Sequence, residues 1–149
     1  MTTNIYEEEF RVEGGDFINV GTASTTLKSS LEMVGIPSSI TRRASIIAYE
    51  AEMNLVIHAG GGFIRSLVST DKLQILAIDE GPGIPDIDLA MQEGYSTASD
   101  AIRELGFGAG MGLSNIKRNS DVLNITSEIG KGTKVEAIIY FTDTAEWGK

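Results

Sequence analysis

Four glycines at strict two-residue spacing, between Gly106 and Gly112, constrain the fold of this chain more than any other feature. A segment of this kind that leads into a helix can wrap backbone N–H groups around phosphates, because the helix dipole favours negative charge at its N-terminus. A dinucleotide-binding fold would place its glycines in the first strand-to-helix turn, and a P-loop would continue into Gly-Lys-Ser/Thr. Neither pattern occurs here, so the sequence indicates a phosphate-binding segment in another type of fold.

Composition and charge narrow the class of protein. The chain has 149 residues, a net charge of -9, no cysteine and one histidine, His58. The length suits one domain, the lack of cysteine excludes disulfides and thiolate metal sites, and the acidic balance disfavours nucleic acid as a partner. No apolar run approaches the ~18 residues of a membrane span, and the acidic N-terminus is unlike a signal peptide. We therefore predict one cytoplasmic domain over residues 1–149, with no membrane partner.

The hydrophobic pattern predicts five strands and three helices in the order β, α, α, β, β, lid, α, β, β. The strands are predicted at residues 5–12, 63–69, 72–78, 122–127 and 134–141, and the helices at about 17–34, from 38 or 39 to the glycines at 60–62, and 112–120. Strands grouped with helices, without strict alternation, are typical of an α+β fold. We predict a two-layer α/β sandwich whose mixed, mostly antiparallel sheet carries helices on one face.

The stretch from residue 79 to about 110 has little secondary-structure signal and carries two prolines and several glycines. A compact domain seldom contains about 30 such residues unless they form a lid or a binding loop. The sequence therefore predicts a lid over about residues 84–110.

Two polar residues on the second predicted helix, Glu50 and Asn54, are four positions apart and project from one face. A carboxylate can accept a proton from a hydroxyl, and an amide oxygen is a ligand suited to Mg²⁺. By themselves they are equally typical of a solvated helix face.

Asp79 directly follows the third apolar strand and is succeeded by Gly81 and Gly83. An aspartate there can accept a hydrogen bond from an exocyclic amine, while the glycines let the backbone approach a flat ring closely. The alternative interpretation is an ordinary Gly-Pro turn.

In combination, the four motifs resemble, in order and spacing, the N, G1, G2 and final Gly-Thr boxes of the GHKL ATPases, the superfamily of gyrase, Hsp90, histidine kinases and MutL. They are Glu50-x₃-Asn54, Asp79-x-Gly81-x-Gly83, Gly106-x-Gly108-x-Gly110-x-Gly112 and Gly130-x-Gly132-Thr133. The resemblance covers about residues 42–141 and implies a Bergerat-type ATP-binding fold with ATP and Mg²⁺ as cofactors.

The resemblance also implies roles for individual residues. Glu50 would be catalytic and activate an acceptor hydroxyl, Asn54 would ligate Mg²⁺, and Asp79 would read the adenine amino group. Thr133 would support the adenine pocket. Independently of the resemblance, Arg103 belongs to a locally basic stretch beside the glycine segment, from which it could reach the γ-phosphate. The remaining implied ATP contacts are Gly81, Gly83, Gly106, Gly108, Gly110, Met111, Gly112 and Leu113.

Within the superfamily, the small size and the run Gly94-Tyr95-Ser96-Thr97 resemble the anti-sigma factor and serine/threonine switch-kinase branch, which includes the stressosome kinase. This implies a regulatory serine/threonine kinase that phosphorylates a STAS-domain antagonist and takes part in partner switching. A sigma factor, a PP2C-type phosphatase or a second copy of the chain are further possible partners. After Gly112 the sequence departs from the stressosome kinase, which leaves the partner open.

Two alternatives therefore stay open. One is an ATP-gated module that binds a sigma factor or a phosphatase without essential catalysis. The other is a detached histidine-kinase catalytic domain that acts on a histidine of another chain.

Overall fold

Five strands form one sheet in the order β1-β2-β3-β5-β4. The computed structural model describes residues 4–57, 60–84, 87, 91–92 and 112–141. In chain order its elements are β1 (Asn4–Glu13), α1 (Thr22–Met33), α2 (Ser38–Ile57), β2 (Gly61–Ser69), β3 (Lys72–Ile78), α3 (Gly112–Asn119), β4 (Val122–Glu128) and β5 (Gly132–Tyr140). The strands and α3 match the predicted boundaries to within two residues.

All four strand pairs within these described residues are antiparallel. The predicted α+β sandwich with a mostly antiparallel sheet is therefore confirmed, and no parallel pair is found among the described strands. The sheet brings β3 beside β5, so that the end of β3, at Ile78, lies opposite Lys134 near the start of β5. This pairing joins two segments that are more than 50 residues apart in the chain.

The helices form the second layer because their apolar residues repeat at helical spacing and face the sheet. On α2 the predicted stripe is buried: Ile40, Ala44, Ile47, Ala51 and Leu55. These residues pack in one core with the alternate residues of the strands, such as Ile64, Ile75 and Ile139. One face of α2 is thereby held against the sheet, and this rigid support fixes the other faces of the helix.

The first helix begins at Thr22, so the predicted start near residue 17 is wrong. Gly21 precedes the helix with a φ of 100°, a left-handed conformation that interrupts helical geometry. The chain before it turns instead, and the Asn19 side chain donates to Asp16 over 2.8 Å.

The first turn of α1 is capped by a buried side chain from α2. Glu52 is 3% exposed, and its two carboxylate oxygens accept hydrogen bonds from the N–H groups of Ala23 and Ser24 at 3.2 and 3.3 Å. A carboxylate at a helix N-terminus satisfies N–H groups that have no intrahelical partner and interacts favourably with the dipole. This tertiary cap ties α1 to α2.

None of the helices in the described part of the chain combines the length and apolar character needed to cross a bilayer.

Candidate functional site

Helix α3 lies along α2, with its ends contacting two different parts of that helix. Its first residue, Gly112, lies against Glu50 and Asn54. Its last residue, Asn119, has a carbonyl that accepts a 2.9 Å hydrogen bond from Nε of Arg43. Two of the predicted motifs, about 60 residues apart, therefore meet at the N-terminus of α3. We call the cluster of Glu50, Asn54, Gly112 and Asn115 the helix half of the site.

Gly112 is a point of close approach between the two helices. A Cβ at this position would lie 3.1 Å from Asn54 Oδ1 and 3.3 Å from Glu50 Oε2, tighter than an ordinary van der Waals contact. The backbone of Gly112 is not left-handed, so space is the reason for glycine here. The missing side chain lets the start of α3 sit directly beside a carboxylate and an amide oxygen.

The Glu50 carboxyl is partly buried. Burial raises its pKa above the ordinary value, and a 3.4 Å hydrogen bond from Nδ2 of Asn115 to Oε1 partly opposes this effect. A carboxylate with a raised pKa is a stronger base when it is ionised, which suits it to accept a proton from a hydroxyl.

Asn54 lies one turn further along α2 and is partly buried. Within the described residues no hydrogen bond engages its side-chain amide, so Oδ1 keeps its acceptor capacity for a ligand. The same residues contain no cluster of three or more acidic or histidine side chains that could hold a metal ion. A cation bound here would take one protein oxygen and complete its shell elsewhere, which is how Mg²⁺ commonly binds with substrate phosphates.

The second half of the site is built where β3 ends beside the start of β5. Oδ1 of Asp79 accepts hydrogen bonds from the backbone N–H groups of Gly81 at 2.8 Å and Thr133 at 3.3 Å. The backbone N–H of Asp79 in turn donates to the Thr133 carbonyl at 3.0 Å. Oδ2 accepts no hydrogen bond from the described residues, so one fixed carboxylate oxygen remains able to accept from an amine.

Two glycines hold the backbone around Asp79 in close contact. A Cβ on Gly132 would lie 2.1 Å from the Asp79 carbonyl oxygen, and one on Gly83 would lie 2.7 Å from that of Glu128. Their φ angles of 127° and 83° also favour glycine. Both positions therefore require glycine for two independent reasons.

Ser127 connects these segments and was not predicted from the sequence. Its hydroxyl accepts a 2.7 Å hydrogen bond from the Ile84 N–H and lies 2.8 Å from the hydroxyl of Thr133, which is buried. We call the cluster that is built on Asp79 the sheet half of the site. Its other members are Gly81, Gly83, Ser127, Gly132 and Thr133.

The other predicted site residues are not part of the two described halves of the site. The side chain of Leu113 is partly buried and packs against the hydrophobic core. Arg103, Gly106, Gly108, Gly110 and Met111 lie outside the described residues, as do His58 and most of the predicted lid.

Sequence reasoning missed Asn115 and Arg43. The sequence contains a weak indication for Asn115, because an asparagine inside a predicted helix is unfavourable unless its side chain has a hydrogen-bond partner. It contains none for Arg43, since its contacts to Asn119 and Asp121 span more than 70 residues.

Comparison with known families gives the class of the protein. Residues 40–143 match the family described as histidine kinase-, DNA gyrase B-, and HSP90-like ATPase. This match covers more than half of the chain, so the protein belongs to that ATPase family. The superfamily that the motifs suggested is thereby confirmed.

Individual relatives match part of the chain. The serine/threonine-protein kinase RsbT of Bacillus subtilis is 38% identical over 93 residues, which are 60% of this chain and 64% of the relative. An anti-sigma F factor of Caldanaerobacter subterraneus is 38% identical over 96 residues, which are 61% and 64% of the two chains. The matched region thus spans just under two thirds of the length of these relatives.

A solved structure supports the fold independently. A chain in the crystal structure of the SiaB–SiaC complex from Pseudomonas aeruginosa superimposes with a TM-score of 0.57 at 15% identity, covering 89% of this chain and 88% of that one. At that identity the similarity concerns the fold alone.

Proposed function

We propose that this protein is an ATP-dependent serine/threonine kinase of regulatory type, in which Glu50 is the general base. The observation that carries the proposal is the junction at Gly112, where the Glu50 carboxylate and the Asn54 amide lie together at the start of α3. Backbone N–H groups at a helix N-terminus bind phosphate, so this junction suits a phosphoryl group beside a base.

The residues of the site fit ATP with Mg²⁺. Asp79 Oδ2 would accept from the adenine amino group, and the N-terminus of α3 would face the phosphates. Asn54 Oδ1 would be the protein ligand of the cation. When bound, Mg²⁺ neutralises charge on the transferring phosphoryl group. Arg103 and the glycines from Gly106 to Gly110 are proposed to cover the phosphates.

In the proposed reaction, Glu50 accepts the proton of a serine or threonine hydroxyl. The hydroxyl oxygen forms a bond to the γ-phosphorus of ATP while the bond between that phosphorus and the oxygen of ADP breaks. The raised pKa of Glu50 supports this role, because a stronger base removes the proton more readily at a given degree of ionisation. Asn54 and the α3 backbone contribute by holding the phosphates in place.

For the protein substrate, we propose a small STAS-type antagonist protein. The support is the 38% identity to relatives named as a serine/threonine-protein kinase and an anti-sigma F factor. A cytoplasmic location would accord with such a substrate.

The test incubates the protein with γ-labelled ATP, Mg²⁺ and a candidate STAS partner. Glu50→Gln is expected to lower label transfer by about 10²–10⁴-fold, the usual contribution of a general base, and to leave ATP affinity nearly unchanged. Glu32→Gln on the exposed side of α1 is the matched control, because it removes the same charge away from the site. Full labelling by the Glu50→Gln variant would show that Glu50 is not the base.

A second candidate function is favoured by the relatives named anti-sigma F factor. In it, ATP orders a surface that binds a sigma factor or a phosphatase, and no transfer is needed. Capture of a purified sigma factor that requires nucleotide and survives Glu50→Gln, without label on either protein, would favour this function. Label that is lost in acid would instead indicate a histidine acceptor and the detached histidine-kinase alternative.

A further inference from the structure

The side chain of Asn115 is held at both ends of its amide group. Its Nδ2 donates to Glu50 Oε1 at 3.4 Å, and its Oδ1 accepts a hydrogen bond from Nη2 of Arg118. Its backbone carbonyl accepts a 2.8 Å hydrogen bond from Nδ2 of Asn119. Asn115 is thus bound to α2 on one side and to the last turn of α3 on the other.

The neighbours of the Asn115 amide determine its orientation. A guanidinium has only donors, so the oxygen of the amide must face Arg118. An ionised carboxylate has only acceptors, so the nitrogen must face Glu50. Arg118 therefore selects the one orientation of the amide that can donate to Glu50.

Helix propensity does not explain asparagine at this position. Asparagine is one of the less favourable residues inside a helix, because its side chain competes for backbone hydrogen bonds. Helix α3 has only eight residues, so one unfavourable residue is a large part of it. A side chain that instead reaches another helix points to a role outside α3.

We propose that Asn115 is a positioning residue for the Glu50 carboxylate and that Arg118 acts through it by fixing the amide. The consequence for catalysis rests on the proposed kinase function, whereas the contact itself does not. Asn115 holds Oε1, and Oε2 lies on the side of Gly112 and Asn54. Oε2 is accordingly the oxygen that accepts the proton.

The first experiment detects the contact in the free protein by NMR. The side-chain Nδ2 signals of Asn115 are expected to move toward those of an unbonded amide when Glu50 is changed to Ala. Unchanged Asn115 signals in a folded Glu50→Ala variant would overturn the proposal, whether or not the protein is a kinase.

The role of Arg118 is tested with a matched pair of variants. Arg118→Ala and Lys117→Ala each remove one positive charge from the last turn of α3, but of these two side chains it is Arg118 that donates to the Asn115 amide. Arg118→Ala is expected to shift or broaden the Asn115 side-chain signals, and Lys117→Ala to leave them nearly in place. Equal shifts in both variants would mean that the loss of a positive charge, and not the loss of the hydrogen bond from Arg118, moves the Asn115 signals. This result would overturn the assignment of Arg118.

The kinetic experiment measures kcat and KM separately. Asn115→Leu keeps the size of the side chain but removes the donor, and we expect a loss of about 10-fold or more in kcat, as for other misplaced catalytic groups. KM for ATP should change less than about 2-fold, because Asn115 does not face the nucleotide in the proposed mode. An active kinase in which Asn115→Leu leaves kcat unchanged, or raises only KM, would contradict the positioning role while leaving the proposed function intact.

Discussion

The two halves of the site are constructed by different means. In the sheet half, Asp79 is held by backbone N–H groups, and Gly132 brings two backbones so close that a Cβ would lie 2.1 Å from a carbonyl oxygen. In the helix half, Gly112 brings the start of α3 close to α2, but the hydrogen bonds are made by side chains. The bond from Asn115 to Glu50 is 3.4 Å long, and the side-chain amide of Asn54 has no hydrogen-bond partner among the described residues.

This difference accords with the two tasks that the proposed function assigns to the site. A backbone framework with glycine contacts leaves little freedom, which suits recognition of a rigid flat ring. Side chains with unused hydrogen-bonding capacity can meet a ligand or a proton in transit, which suits chemistry. Mutations in the sheet half should therefore affect folding first, and mutations in the helix half should affect function first.

The largest effect is expected from Gly132→Ala. The added methyl group would overlap the Asp79 carbonyl and strain a φ of 127°, which should lower the free energy of unfolding by about 3 kcal/mol or more. Urea denaturation measures this change. Gly130→Ala is the control, because its φ is 79° but nothing lies within 4 Å of the added Cβ, so a loss of only about 1–2 kcal/mol is expected. Equal losses of unfolding free energy in the two variants would show that the close approach at Gly132 does not affect stability.

The second largest effect is a loss of ATP affinity when Asp79 is changed to Asn. Asn in its place can still accept from Gly81 and Thr133 through Oδ1, but it presents a donor where Oδ2 stood. ATP affinity, measured by calorimetry, should fall roughly 10-fold to 100-fold, because a charged hydrogen bond is lost. Glu80→Gln, which removes the neighbouring exposed charge, should have little effect. Unchanged affinity in Asp79→Asn would rule out the adenine assignment.

For Gly112→Ala we expect a smaller effect, and one on function more than on stability, in contrast to Gly132→Ala. Alanine is more favourable than glycine in a helix by about 0.5–1 kcal/mol, and the backbone here is not left-handed, so the free energy of unfolding should stay within about 1 kcal/mol of wild type. ATP binding and label transfer should nevertheless fall several-fold, because the methyl group displaces Glu50 and Asn54. A variant that is strongly destabilised yet binds ATP normally would reverse the proposed division between the two halves.

The smallest effect is a pH dependence of stability at Glu50. Because its pKa is raised in the folded protein, its contribution to stability is fully present below the unfolded pKa and is lost as the pH rises through the folded pKa. Glu50→Gln should therefore be more stable than wild type at pH 7, with an advantage that shrinks as the pH approaches 4. Urea denaturation at both pH values checks this, and an advantage that grows toward pH 4 would contradict the direction.

Much of the fold was predictable because it depends on local periodicity. The buried stripe of α2 and the alternation along the strands follow from helix and strand geometry. The sequence therefore predicts the boundaries of the strands and of α3 to within two residues. The start of α1 was missed because Gly21 adopts a left-handed conformation and the cap comes from Glu52, a residue 28 positions away from Ser24. Such a cap has no signature in the segment that it stabilises.

The candidate site shows the same division. That Glu50 and Asn54 share a helix face could be inferred from their spacing, since helix geometry sets it. The glycines were expected to approach a ligand, whereas the close contacts of Gly83, Gly112 and Gly132 in the structure are with other segments of the protein. Which backbones approach one another could not be inferred, because the partners are distant in the chain and meet through packing.

Two contacts illustrate the physical reason. Asn115 reaches Glu50 across 65 residues because α3 packs on α2, and Thr133 reaches Asp79 across 54 residues because β5 pairs with β3. Spacing along the chain specifies faces and turns, whereas the burial of those faces selects which segments become neighbours. The residue types and spacings of the candidate site were therefore determined locally by the sequence, whereas the contacts within each half depended on the packing of the helices and the pairing of the strands.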